Sequence, residues 1–408
     1  MKSNSFKFSF IHPILTLLVA TLFFNPFNIG KFVLPVVLVY MVFQIKDRKF
    51  LMLVFGNAQF WLLLLFSVLY VFMLMQYQFI EINTGLNYLL YFILLYAFGL
   101  TVVMKAKNER QIIYYLYAII IGLSLFGIAA VIYSNLFYGI SADLAVRRAT
   151  IPWMRDVQLG ATGIGMFVSL GIALLGLVFV KSKIMIKGIN ALIALLSIFA
   201  SITLANRTGL LIALISVFVI YVAQARLNSL RNNIKIAAGF IVQLTVLFIL
   251  FNINFLNVKS FWLQSHAYNR VVNMSLVYEP RFIVWGEAIQ GIFTNPLGGK
   301  ETELSLLYAH NLWLDVGYSA GAVPFIIVVI FTLMTLNCYA RLIQKDTISR
   351  YFKYLVTTMI CGFILTFMLE PVIEGNYLLF GAFCMVSGIL KAIDRKMKYD
   401  TRISQINT

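Results

Sequence analysis

The chain has 408 residues, of which 61% are hydrophobic and only 12% charged, with a mean hydropathy of +0.90. Soluble domains carry roughly 25% charged residues, so this composition excludes an ordinary globular protein and predicts one polytopic membrane domain over 1–408. The net charge of +17 would also suit a nucleic-acid binder, and its distribution along the chain decides between the two.

Apolar runs approaching the roughly 20 residues that cross a bilayer recur at 10–24, 32–45, 60–76, 87–104, 112–133, 160–180, 187–204, 208–224, 234–251, 312–337, 351–369 and 377–391. The expected fold is therefore all-α, with about 12 transmembrane helices. The first run is followed by Asn25, Pro26 and Phe27 rather than by a small-residue cleavage site, and it reads as a retained helix. Cys338, Cys361 and Cys384 lie in or beside apolar runs, with no CxxC pattern to suggest a disulfide or a metal.

Basic residues flank the cytoplasmic ends of spans. Placing both termini in the cytoplasm puts 23 of the 32 basic residues inside, giving +18 there and −1 outside. The positive balance is then explained by topology, and no nucleic-acid partner is needed. Nine basic residues fall outside against that rule: Lys31, Arg147, Arg148, Arg155, Arg207, Lys259, Arg270, Arg281 and Lys300. Two external segments are long, 134–159 and 252–311, and long loops in compact proteins are mostly functional or disordered. The second, between spans 9 and 10, is rich in aromatic residues and is expected to be folded.

Arg207 stands in a very short turn, SITLANRTGLLIALIS, at the outer end of a helical hairpin. A guanidinium beside hydrocarbon is costly unless it meets a cavity or an anion; snorkelling to lipid headgroups is the alternative. Arg281 follows Pro280 at a helix start, where free N–H groups favour an anion, and Trp285 falls on the same helical face. The arginine can fork onto phosphate oxygens, or it can pair with Glu279 or Glu287. Asn295-Pro296-Leu297-Gly298-Gly299 then breaks the helix. His310 and Asn311 mark the entry into the tenth span. His12 lies in the first span, which leaves His266 and His310 as the outer histidines able to titrate near neutral pH. His310 is either structural or a general base. Asp315, five residues on, is off its helical face, whereas Glu370 and Glu374 flank the next outer helix end and could orient it. No DxD, HExxH or Walker pattern is present, so no cofactor and no metal are expected.

RFIVWGEAI, then NPLGG, then HNLWLDVGYSAGAV, with NRTG upstream, resembles the core of the O-antigen ligase and polymerase superfamily of bacterial membrane glycosyltransferases. The resemblance implies a metal-independent, inverting transfer of a glycan from undecaprenyl diphosphate to an acceptor hydroxyl at the periplasmic face of the inner membrane. It implies that Arg207 and Arg281 hold the diphosphate and that His310 accepts or positions the acceptor proton. Asn311, Trp285, Arg147, Arg148, Arg155, Arg270, Glu370 and Glu374 are the further candidates for substrate binding. Within the superfamily the short Arg281–His310 segment favours a polymerase of lipid-linked repeat units over a ligase to lipid A core. A flippase would instead be expected to place charges at mid-membrane and to show repeated halves. Expected partners are the undecaprenyl-diphosphate-linked oligosaccharide and membrane lipid, with a chain-length regulator protein as a further candidate.

Overall fold

The computed structural model describes residues 11–138, 147–227 and 280–406, together with short stretches between 238 and 272. In chain order the helices are α1 Ile11–Phe24, α2 Gly30–Gln44, α3 Arg48–Phe55, α4 Ala58–Gln76, α5 Ile82–Lys105 and α6 Glu109–Tyr138. They continue with α7 Ala161–Ala173, α8 Leu175–Val178, α9 Ile184–Thr203, α10 Arg207–Leu227, α11 Val258–Gln264 and α12 Pro280–Thr294. The last four are α13 Leu312–Ala320, α14 Ala322–Ile343, α15 Arg350–Leu369 and α16 Val372–Ile406. Strands β1, Arg148–Ile151, and β2, Met154–Gly160, pair antiparallel.

The protein is a multi-pass, α-helical membrane protein. Among the described residues nine helical segments are long and apolar enough to cross a bilayer, and α1 and α2 are shorter apolar helices. The expected span 234–251 falls mostly outside the described residues. Two expectations are corrected. The stretch 134–159, read as an outer loop of an all-α chain, holds the β1–β2 hairpin, in which Ala149 pairs with Leu159 and Thr150 with Gln158 and Pro152-Trp153 supplies the bend. The stretch 312–337, read as one span, is two helices broken at Gly321, whose φ of 95° ends α13.

The chain divides into two compact units. Unit 1 comprises Met1–Gly122, Pro280–Ser349 and Phe367–Thr408; unit 2 comprises Leu123–Glu279 and Arg350–Thr366. In unit 1, α5 and α16 pack closely because glycine removes side chains at two crossings. A Cβ on Gly99 would lie 2.1 Å from the Met385 carbonyl oxygen, and one on Gly388 would lie 2.2 Å from that of Tyr96. Small residues at such crossings let backbones approach where lipid offers no hydrophobic drive to association. In unit 2, Ile128, Val131, Ala149, Ile164, Val168, Ile172, Ala200 and Ile212 form one buried cluster, which seats β1 against α6, α7, α9 and α10.

Candidate functional site

In unit 1, Arg281, Lys300, His310, Glu370 and Glu374 gather where α12, α13 and the α15–α16 junction meet. The arrangement begins with the broken helix. Stopping α13 at Gly321 frees carbonyls at its end and an N–H at the start of α14, and in apolar surroundings such groups must be satisfied from within the protein. The Asn295–Gly299 turn does this. Gly299 N–H donates to the Ser319 carbonyl at 3.1 Å, Lys300 N–H to that of Tyr318 at 3.3 Å, and Ala322 N–H to that of Pro296 at 2.8 Å. A Cβ on Gly298 would sit 2.6 Å from the Gly321 nitrogen, and one on Gly321 2.6 Å from the Pro296 oxygen. Both glycines also have positive φ, so the close approach and the backbone conformation call for the same residue. The Tyr318 hydroxyl, donating to the carbonyls of Lys300 and Thr302, ties the following segment to the same helix.

At the other end of α13, His310 takes a left-handed backbone, φ 53°. For a residue with a Cβ this conformation is uncommon and costs about 1–2 kcal/mol. Asp315 holds it. Its carboxylate accepts from Ala309 N–H at 2.7 Å and from Asn311 N–H at 3.2 Å, one backbone donor on each side of the histidine. Asn311 is the N-cap of α13, its side-chain oxygen accepting from Trp313 N–H and Leu314 N–H at 3.2 Å, and its amide donates to the Met368 carbonyl at 3.4 Å. A carboxylate reaching back to the N-cap N–H is the logic of a capping box, here displaced by one residue. Asp315, which the helical-face argument had set aside, thus fixes the turn that presents His310. Asn311, expected to touch substrate, is occupied as a cap.

The turn places the imidazole beside Glu370. Nδ1 lies 3.7 Å from Glu370 Oε2, and Glu370 Oε1 lies 3.5 Å from Arg281 Nη2. The Glu370 side chain is 2% exposed, against 19% for His310 and 21% for Arg281. A deeply buried carboxylate therefore faces two partly open basic groups. His310 Nδ1 is buried without a hydrogen bond, although the side chain as a whole is partly open. The tyrosine two residues earlier packs edge-on, with the Tyr308 and His310 ring centroids 6.4 Å apart. Burial raises the Tyr308 phenol above its ordinary pKa, and the Glu374 and Asp315 carboxylates add to the effect.

Arg281 does not pair with Glu287, which instead accepts from Ser305 N–H at 2.7 Å; Glu279 lies outside the described residues. Glu374 does not orient His310. It pairs with Lys300 at 3.0 Å, and that ammonium lies over the Phe79 ring, 4.8 Å from its centroid. Lys300 was visible only as a lysine on the wrong side for topology, and its role as partner of Glu374 needed the fold. Trp285 is half-buried one turn beyond Arg281 and meets Phe282 edge-on at 5.4 Å. Of the other histidines, His12 bonds the Tyr115 hydroxyl and the Lys105 carbonyl, a structural pairing, and His266 lies outside the described residues.

The remaining arginines belong to unit 2. Arg207 is the first residue of α10 and half-buried. Arg148 and Arg155 are exposed on the hairpin, and Arg147, just before β1, accepts at its carbonyl from Ala161 N–H at 2.8 Å. Arg270 lies outside the described residues. Among the described residues no group of three or more His, Cys, Asp or Glu side chains forms a metal-ligand cluster. No known family model matches this chain, and no curated protein matches it. The site offers a partly open imidazole beside a buried carboxylate, next to a guanidinium at the N-terminus of a helix.

Proposed function

We propose that this protein is a glycosyltransferase of the bacterial inner membrane that polymerises surface-polysaccharide repeat units carried on undecaprenyl diphosphate, with its site on the periplasmic face. The observation supporting this reading is the Arg281–Glu370–His310 cluster. A proton on Nδ1, facing Glu370, leaves Nε2 with the lone pair that a general base needs. His310 Nε2 takes the proton of the acceptor hydroxyl as its oxygen attacks the anomeric carbon from the face opposite the phosphate. The carbon–oxygen bond to the diphosphate breaks, and the electron pair leaves with the carrier. Arg281, at the first turn of α12, meets the charge that grows on the leaving oxygens. As Arg281 turns toward phosphate, Glu370 is left to His310 and stabilises the imidazolium that the reaction creates. The reading calls on no metal and no cofactor.

A polymerase is favoured over a ligase because the segment from Arg281 to His310 is spent on α12 and on the turn that completes the broken helix. Little chain is left there to hold an acceptor as large as lipid A core. The test is the glycolipid profile of a deletion strain on a gel, complemented by variants. The expected result is loss of the ladder with a single repeat unit on the lipid core, restored by wild type. Arg281→Lys should not restore it although the variant accumulates in the membrane, because a point charge cannot replace a bidentate fork. Long polymer on the carrier with bare core would assign the ligase reaction, and an intact ladder in the deletion strain would overturn both.

A further inference from the structure

A cavity lies in unit 1, away from the glutamate–histidine cluster. It has a volume of about 580 Å³ and is lined by Lys49, Leu53, Val103, Met104, Ala392, Arg395, Lys396 and Lys398. These come from three elements: the short helix α3, the end of α5 and the distal part of α16. Helix α3 is amphipathic. Phe50 and Val54 are buried, Met52 and Phe55 are 58% and 49% exposed, and Arg48 and Lys49 are exposed. A short helix of this kind lies in the interfacial plane of a membrane.

A fixed cation stands at the cavity wall. Arg395 donates to the carbonyls of Met52 and Leu53 at 3.0 Å and to that of Gly56, so it closes the C-terminus of α3 onto α16. Carbonyls are neutral, so the arginine remains a positive charge at the cavity wall. The carboxylates that could cancel the other cations are engaged. Asp47 is held below its ordinary pKa by the Lys49 N–H and by Lys105, whose ammonium lies 3.3 Å away. Asp394 is shared between Arg341 at 2.7 Å and Lys398 at 3.1 Å. Lys49 and Lys396 have no carboxylate within 4 Å among the described residues. The result is a cavity with cations at its rim and Leu53, Val103, Met104 and Ala392 along its apolar wall.

We propose that this cavity binds one anionic phospholipid, the phosphodiester at Lys49, Arg395 and Lys396 and an acyl chain along the apolar wall. A soluble anion would use only the rim and a neutral lipid only the wall. The site sits at the end of unit 1 that the charge distribution of the sequence assigns to the cytoplasm, where anionic headgroups attract basic side chains by about 1 kcal/mol each. The inference is independent of the glycosyltransferase reading.

The experiment uses the full chain in a mild maltoside detergent, with thermal unfolding and native mass spectrometry. Dioleoylphosphatidylglycerol is expected to raise the unfolding temperature and to leave one bound lipid, whereas dioleoylphosphatidylcholine and inorganic phosphate are not. Lys49→Gln with Lys396→Gln should weaken that lipid about thirty-fold while the lipid-free unfolding temperature stays as in wild type. Lys181→Gln with Lys183→Gln, also exposed but in unit 2, should leave binding unchanged. If the double variant folds poorly, Lys396→Gln alone is read in the same way, with a loss of about five-fold. Equal stabilisation by phosphatidylcholine or by phosphate alone, or equal weakening by the control pair, overturns the proposal.

Discussion

At Ala205–Asn206–Arg207 in unit 2 and at His310–Asn311–Leu312 in unit 1 the chain makes the same local move. A residue in the left-handed region, φ 52° in one and 53° in the other, precedes an asparagine whose side chain caps the next helix. The surroundings differ. Asn206 is fixed by its neighbours on a tight hairpin: its N–H donates to the Ser201 carbonyl, the Ser201 hydroxyl donates to its carbonyl, and its amide donates to the Ala161 carbonyl. Around His310 the work falls to a single buried carboxylate, Asp315. In unit 2 the strained residue is an alanine, so the conformation aims only the backbone, and the charged group, Arg207, follows in relaxed helix. In unit 1 the strained residue is the imidazole itself. One turn type can therefore serve as a plain connection or as the mount for an imidazole, according to which residue occupies its left-handed position.

The comparison can be broken most severely at the imidazole. His310→Ala is expected to lower transfer by about 10²–10⁴-fold, the usual worth of a general base, with an unchanged unfolding temperature; Ala205→Gly should leave transfer intact. Chain growth at wild-type rate in the His310→Ala strain would reduce the unit 1 turn to a connection like that of unit 2.

A smaller effect is expected at the carboxylate. Asp315→Asn keeps the volume but turns an NH₂ group toward one of two backbone donors, leaving a buried N–H unsatisfied at about 1–3 kcal/mol. The unfolding temperature should fall and transfer should fall with it, because the turn that aims His310 is loosened. A drop in stability with full activity would show that the turn does not depend on Asp315.

The smallest effect sharpens the comparison itself. Glycine adopts positive φ without the Cβ penalty. Ala205→Gly should stabilise the protein by up to about 1 kcal/mol, and His310→Gly should be more stable than His310→Ala by a similar amount, both read from thermal unfolding. His310→Gly should remain as inactive as His310→Ala. Recovery of transfer in the glycine variant would mean that the turn, and not the imidazole, is what the reaction needs.

Much of the fold was legible in the chain. Apolar runs located most of the helices because they reflect the cost of polar groups in hydrocarbon, which acts residue by residue. Pro280 marked the start of α12, and Asn295–Gly299 marked a break, for equally local reasons. The candidate site was legible only in part. Arg281 and His310 stood out by type and place, but of the two acids nearest to Arg281 in sequence Glu287 is engaged by Ser305 instead, and Glu279 lies outside the described residues. It also meets Glu370, at a helix junction brought close only by packing. Asp315, five residues from His310, is off its face on a helix, but the helix begins only at Leu312, and the carboxylate reaches back to the turn before it.

What the sequence determined by itself is the multi-pass helical architecture and the turn residues, set by local hydrophobicity and backbone freedom. The tertiary structure alone decided which charges meet. It broke the tenth apolar run at Gly321, since the Asn295–Gly299 turn could satisfy the freed backbone there. It also set Glu370 between Arg281 and His310, because a carboxylate so nearly withdrawn from water is held where basic groups from distant parts of the chain converge on it.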